Sequence, residues 1–272
     1  MKILVTGKEG QVARCLADRA KDHPKLELIF VAREGTDTVL DLADPDTIRA
    51  AVAAHKPDVI LNAAAYTAVD QAEDEPDLAM AVNGTAPGIL AAEAAKIGAK
   101  IIHISTDYVF DGDLDRPYLP SDPVNPIGVY GKTKLAGEEA VRAANPDHVI
   151  ARTAWVYSPY GKNFYKTMLR LAETKDEISV VDDQIGNPTS AYEIADGLLA
   201  ICDDWEKGGS KRLGETIHLV GPDAMTWCGF ARKIFAESKA SGGPSCHVNA
   251  ISTADYPTKA KRPANSRLEQ PA

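Results

Sequence analysis

Ile3-Leu4-Val5-Thr6-Gly7-Lys8-Glu9-Gly10-Gln11-Val12-Ala13 carries the chain from a short apolar run, through two glycines three residues apart, into a helical pattern. An apolar run that stops at Gly reads as a buried strand ending in a tight turn. Residues 11–21 then repeat apolar side chains at helical spacing. Gly7 permits the sharp turn, Gly10 lets a ligand come close to the backbone, and Ala13 is small enough for helix to pack on sheet. A helix that opens at such a turn presents unpaired N–H groups and a partial positive charge to an anion. The spacing G-x-x-G-x-x-A differs from the commoner G-x-G-x-x-G. Its place directly after the first strand nonetheless points to the pyrophosphate of a dinucleotide.

Working outward, the same grammar repeats. Strands are expected over 26–31, 59–61, 100–105 and 149–151, and helices over 45–55, 77–97 and 131–144. Pro45 suits a first helical turn and Gly98 a helix end. Strands alternating with helices imply right-handed βαβ units. The expected fold is α/β, a Rossmann-type doubly wound parallel sheet with a smaller C-terminal substrate-binding lobe. Residues 107–129 are rich in Gly, Pro and Asp and read as a long ordered loop. Later come helices over 164–174, 192–205 and 230–238 and a strand over 217–220. A soft boundary at Arg152 divides 1–152, mainly dinucleotide-binding, from 153–272, mainly substrate-binding, with some elements of the second part returning to the first.

Composition narrows the function classes. Of 272 residues 44% are hydrophobic, enough for a substantial core. The net charge of −9 argues against nucleic acid as a partner, because neutralising phosphates needs clustered Lys and Arg. Cys15, Cys202, Cys228 and Cys246 are scattered without a C-x-x-C pair, so neither zinc nor a disulfide framework is expected. The apolar run at Met1 meets Gly7-Lys8-Glu9 at once, too early for a secretory leader, and no run approaches the roughly 20 residues of a membrane span. The expectation is a cytoplasmic protein with no membrane partner.

Two further stretches bear on chemistry. Phe30-Val31-Ala32-Arg33 lacks the acid that bonds the ribose 2′-hydroxyl of NAD at the end of the second strand, and Arg33 can meet a 2′-phosphate. NADPH is therefore expected over NADH, with Glu34 beside Arg33 weighing the other way. Asp41-Leu42 suits either an adenine contact or a turn ahead of Pro45. In Tyr130-Gly131-Lys132-Thr133-Lys134 a phenol and an ammonium lie four residues apart and share a helix face. Lys134 is expected to lower the Tyr130 pKa, so that Tyr130 can donate a proton to a carbonyl as hydride arrives. Ser105-Thr106 ends the fourth strand, where an α/β sheet places its site, and the Thr106 hydroxyl can hold that carbonyl or merely cap the strand.

Val5 to Val12, Asn62 to Asp70, Ser105 to Phe110, Tyr130 to Glu138, Arg152 to Tyr157 and Asn265 to Leu268 together resemble the dTDP-4-dehydrorhamnose reductase family of extended short-chain dehydrogenases/reductases. The blocks run in order across nearly the whole chain. The resemblance implies a catalytic triad of Thr106, Tyr130 and Lys134 and a cofactor site lined by Gly7, Gly10, Gln11, Val12, Asp41, Leu42, Ala63, Ala64 and Ala65. It implies Thr67 close to both ligands, and Trp155, Asn163, Gln184 and Arg262 toward a dTDP-sugar, Arg262 through its fork of donors to the diphosphate. The plainer alternatives are a core Trp155, an Asn163 helix cap before Phe164, and a solvated Arg262.

The implied reaction is NADPH-dependent reduction of the C4 ketone of dTDP-4-dehydro-L-rhamnose, for surface polysaccharide. Alternatives are a reductase of another nucleotide-4-keto-6-deoxysugar, a non-catalytic NADP-binding subunit like the methionine adenosyltransferase β-subunit, or an NDP-sugar epimerase or dehydratase. Some members of the family are described as dimers joined by Mg²⁺ on three Glu. Cys15 and Tyr192 (Glu193 adjacent) stand at two of those positions, and the third would follow the last residue. No such metal is expected, and the chain is expected as a monomer or homodimer.

Overall fold

The computed structural model describes residues 1–270. Its strands are β1 (Lys2–Thr6), β2 (Glu27–Val31), β3 (Val59–Asn62), β4 (Lys100–Thr106), β5 (His148–Thr153), β6 (Val156–Tyr157), β7 (Glu177–Val181), β8 (Ile185–Gly186), β9 (Thr189–Ser190), β10 (Glu215–His218), β11 (Met225–Thr226) and β12 (His247–Ile251). Its helices are α1 (Gln11–Arg19), α2 (Pro45–His55), α3 (Val69–Ala72), α4 (Pro76–Met80), α5 (Ala86–Lys96), α6 (Val129–Ala144), α7 (Phe164–Ala172), α8 (Ala191–Glu206) and α9 (Trp227–Ala240).

Six strands form one parallel sheet in the order β10-β5-β4-β3-β1-β2. The chain runs outward one way from β1 to β2 and the other way from β3 onward, so the order reverses between β1 and β3. Ligands of open α/β sheets bind at the carboxyl ends of the strands beside such a reversal. Strands covered on both faces should be apolar throughout, and β3 and β5 are buried at every position.

One face is covered by α1 and α8, whose Val12, Ala13, Leu16, Ile194, Leu198 and Leu199 pack on Ile3, Val5 and Leu61. The other is covered by α2 and α5, whose Ile48, Val52, Leu90, Ala91 and Ala94 pack on Leu4, Ile60 and Ile101. The alanines of α5 leave room for α6, which lies beside it on this face.

The helix expected over 77–97 is interrupted. A five-residue π turn, Ala81–Thr85, joins α4 to α5. Pro87 has no N–H to give the Asn83 carbonyl one turn back, which frees that oxygen. Gly137 of α6 packs directly on it, where a Cβ would sit 2.1 Å from the Asn83 oxygen.

The C-terminal half divides between two bodies. α8 and β10 return to the main sheet, and the strand expected over 217–220 lies two residues earlier. The rest builds a small lobe in which β7 pairs in parallel with β12, flanked by α7 and α9. Its core gathers Met168, Ile178, Val180, Phe230, Ile234, Phe235 and Val248. Neither lobe strand was expected; Ile178 and Val180 of β7 alternate with exposed residues, and β12 buries Val248. The long loop after β4 is tied down by the chain's last segment: Tyr118 N–H donates to the Arg267 carbonyl at 2.8 Å, and Phe110 stacks on Tyr118 beneath it.

Candidate active site

The carboxyl ends of β1 to β5 open into a cleft of about 1130 Å³ between sheet and lobe. That exceeds the few hundred to about 1,000 Å³ of an ordinary single-ligand site, and suits a dinucleotide with a second ligand beside it. At its floor Gly7 has φ +80° and touches the turn after β3, where a Cβ would meet the Ala64 Cβ at 2.9 Å. Gly10 caps α1 with no side-chain acceptor, while its own N–H donates to the Gly7 carbonyl at 2.8 Å. These features fit a dinucleotide pyrophosphate.

Gly7, Gly10, Gln11, Val12, Arg33, Asp41, Leu42, Ala63, Ala64, Ala65, Thr67, Thr106, Tyr130, Lys134, Trp155 and Asn163 all line this one cleft. Asp41 does so while its carboxylate accepts from Ala43 N–H in a turn. Asn163 is also the cap of α7, accepting from Lys166 N–H at 2.9 Å, and its amide donates to Gln11 Oε1 at 2.8 Å. Trp155 holds a left-handed backbone (φ +47°) and stacks on Trp227 of the lobe with ring centres 3.5 Å apart. A bulky residue held there is a strained conformation that its surroundings must enforce.

Two expected ligand contacts lie elsewhere. Neither Gln184 nor Arg262 is among the cleft's lining residues. Gln184 donates to Thr253 at 3.0 Å. Arg262, partly exposed, makes a two-pronged pair with Asp70 at 2.7 and 3.1 Å. Its planar fork matches a carboxylate, and Asp70 takes both prongs.

Residues that sequence reasoning missed hold the elements around the cleft in place. Glu73 accepts from Val129 N–H at 2.8 Å and so caps α6 just before Tyr130. Asn83, in the π turn, accepts from Tyr66 N–H and donates to the Tyr66 carbonyl and the Thr133 hydroxyl, locking the turn after β3 to α6. The Asn83-Gly84-Thr85-Ala86-Pro87 run, with its Pro inside a helix, was the available signal. Asp107 lines the cleft beside Thr106, whose hydroxyl donates to it at 2.9 Å. Burial pushes the Asp107 carboxyl up to about 6, against hydrogen bonds from Ser266 and Thr106.

The expected effect of Lys134 on Tyr130 is absent in this structure. Burial pushes the Tyr130 phenol up to about 12, with the Thr106 hydroxyl opposing and Asp107 adding to it. Lys134 is turned inward, donating to the Ile104 carbonyl at 2.7 Å. Burial lowers Lys134 to about 8, with Glu138 opposing.

The Mg²⁺ positions do not fit a metal. Cys15 is wholly buried against the sheet and burial raises its thiol to about 11. Tyr192 donates to Asp18 at 2.8 Å, and Glu193 closes the capping box of α8 with Ser190. Mg²⁺ takes oxygen ligands, and a buried thiol is not one. Among the described residues no group of three or more His, Cys, Asp or Glu is placed to hold a metal ion.

A doubly wound sheet with a phosphate turn, and a Thr, Tyr and Lys at the mouth of that turn, defines a nicotinamide-dependent oxidoreductase of the short-chain dehydrogenase/reductase type. Comparison with known proteins narrows the class. The family model described as RmlD substrate binding domain matches residues 1–272. The chain is 47% identical to dTDP-4-dehydrorhamnose reductase of Sinorhizobium fredii over 98% of this chain and 88% of the relative. A crystal structure of a dTDP-4-dehydrorhamnose reductase from Clostridium acetobutylicum superposes with a TM-score of 0.89 at 40% identity, over 99% of this chain and 90% of that one. The Bacillus anthracis enzyme, in complex with NADP, gives 0.88 at 32% identity over the same shares, 99% and 90%. The chain belongs to the dTDP-4-dehydrorhamnose reductase family.

Proposed function

We propose that this chain reduces the C4 ketone of dTDP-4-dehydro-L-rhamnose to dTDP-L-rhamnose, with NADPH as reductant. The observation that carries the reading is that one cleft is lined by Thr106, Tyr130 and Lys134 together with the Gly7–Gly10 phosphate turn, in a chain of this family. When bound, NADPH supplies the hydride for C4. Thr106 turns its hydroxyl from Asp107 to the ketone oxygen, donates a hydrogen bond there and fixes the sugar. Tyr130 gives its phenolic proton to that oxygen as charge develops there; its raised pKa keeps it fully protonated at neutral pH, as a proton donor requires. Lys134 restores the proton to Tyr130 and holds the nicotinamide ribose. Arg33, exposed at the rim of the cleft, receives the 2′-phosphate and favours NADPH over NADH. Trp155 and Asn163 contact the sugar nucleotide, and Thr67 lies between the ligands.

We take the enzyme to act in the cytoplasm as a monomer or homodimer, without a metal. No helix among the described residues is long and apolar enough to cross a membrane. Enzymatically generated dTDP-4-dehydrorhamnose, mixed with the protein and NADPH, is expected to consume one NADPH per sugar and give dTDP-L-rhamnose by mass and sugar analysis. Product formed without net NADPH consumption would assign an epimerase or dehydratase instead. NADP(H) binding without turnover on any nucleotide ketosugar would assign a regulatory subunit.

A further inference from the structure

Beneath the cleft floor a file of polar side chains crosses the sheet. Thr6 ends β1, Asn62 ends β3, His103 lies within β4 and Lys134 stands on α6; all four are buried. The Ala64 N–H donates to Thr6 Oγ1 at 3.0 Å, and the Thr6 hydroxyl donates to Asn62 Oδ1 at 2.7 Å. The Asn62 amide nitrogen lies 3.0 Å from His103 Nδ1, and His103 Nε2 lies 3.3 Å from Lys134 Nζ.

The network has a direction. Thr6 Oγ1 already accepts from Ala64, and its own hydrogen goes to Asn62 Oδ1. The opposite orientation of the Asn62 amide would strand that hydrogen without an acceptor inside the sheet. The amide N–H therefore points at His103 Nδ1, which must accept. Burial above all holds His103 neutral. A neutral imidazole that accepts at Nδ1 carries its hydrogen on Nε2. That N–H faces Lys134 Nζ, and an ammonium is donor-only. The two are compatible when Lys134 is an amine whose lone pair receives the Nε2–H while one of its own N–H bonds serves the Ile104 carbonyl.

Building on the proposed reaction, we propose that His103 is a positioning residue: its Nε2–H, oriented by Thr6 and Asn62, favours the amine form of Lys134 and makes the lysine a readier proton donor to Tyr130. In that step the N–H bond of the Lys134 ammonium breaks, the O–H bond of Tyr130 forms, and the resulting amine takes up the His103 hydrogen bond with no transfer from the imidazole. The charged group that acts on Lys134 from its own helix is Glu138. Glu138 favours the ammonium, but its carboxylate is engaged by Arg152 and Arg142.

Asn62→Asp tests the idea by turning the imidazole round. A carboxylate there accepts Nδ1–H, moves the hydrogen off Nε2, and leaves Nε2 to accept from the ammonium. In histidine-¹⁵N-labelled protein, the His103 signal (assigned by its loss in His103→Gln) is expected with Nε2 protonated in the native chain and Nδ1 protonated in Asn62→Asp. In lysine-labelled protein the Lys134 titration midpoint is expected to rise by a pH unit or more, and the basic limb of the kcat profile with it. Thr6→Val, which removes the hydroxyl that orients the amide, is expected to give both tautomers and a smaller rise, and serves if the aspartate variant does not fold. A native His103 protonated on Nδ1, or cationic at neutral pH, overturns the proposal, as does an unmoved Lys134 midpoint in a folded variant. Both spectra are read without turnover, so failure of the assigned reaction is distinguishable from failure of this inference.

Discussion

Tyr130, Thr106 and Lys134 line one wall of the cleft, and each is set by a different force. Burial keeps the phenol protonated, a hydrogen bond to Asp107 engages the threonine, and the Ile104 carbonyl holds the lysine. Tyr130→Phe removes only the transferable proton. Turnover is expected to fall by about 10²–10⁴-fold, while NADP⁺ still binds, as read by fluorescence titration; near-normal turnover would remove Tyr130 from the mechanism. Arg33 is exposed and lines the cleft, so its replacement should leave the fold intact. Arg33→Ala is expected to raise KM for NADPH and leave KM for NADH unchanged. Equal native efficiency with both cofactors, or no change on substitution, would take the 2′-phosphate away from this residue.

At the scale of elements, α6 carries Tyr130 and Lys134 and is anchored from three sides. Glu73 caps its start, the Asn83 carbonyl receives Gly137 against its middle, and Glu138 pairs with Arg152 of β5 through two hydrogen bonds at 2.8 and 2.9 Å. Glu138 and Arg152 are almost wholly buried, so removing one charge leaves the other stranded. Glu138→Gln is expected to cost about 3–5 kcal/mol in urea unfolding. The native pair also makes stability pH-dependent. Burial raises the Glu138 carboxyl, but Arg152 and Arg142 outweigh it and hold the group below its ordinary 4.5. With the folded value depressed, the contribution is fully present above the ordinary value and is lost as pH falls through the folded one. Unfolding free energy should thus decline more steeply below about pH 4.5 in the native chain than in Glu138→Gln; parallel declines would remove the pair from the acid response.

At the scale of the molecule, sheet and lobe meet across the cleft through a few polar clamps. Gln11, first residue of α1, accepts from Ser158 and Asn163, and Asp18 of α1 accepts from Tyr160 at 2.5 Å; Asp18 also accepts from Tyr192 of α8, within the sheet body, at 2.8 Å. A ligand that contacts both bodies stabilises the folded chain by mass action. NADPH at a hundred times its Kd is expected to add about 2.7 kcal/mol, seen as a rise in Tm; no rise would deny binding to the folded state. The same clamps occupy the face where Cys15 and Tyr192 stand in place of metal-binding carboxylates. EDTA is therefore expected to leave both activity and elution volume unchanged, and their joint loss would restore a metal-linked dimer.

Local pattern was enough for the frame of this protein. The glycine spacing after β1, the alternation of apolar runs with helical repeats, and the four-residue step from Tyr130 to Lys134 depend on backbone conformation and burial period, which neighbouring residues encode. They were legible as a dinucleotide fold with a reductase site. The partners of the polar groups were not. Arg262 reaches Asp70 across 192 residues, and Lys134 meets His103 only because α6 crosses β4. The π turn arises where Pro87 frees a carbonyl for Gly137, and the lobe strands β7 and β12 find each other only through a pairing between distant parts of the chain. A charge or hydroxyl in a sequence has many possible partners. Only the packed chain, by excluding water and fixing distances, selects one.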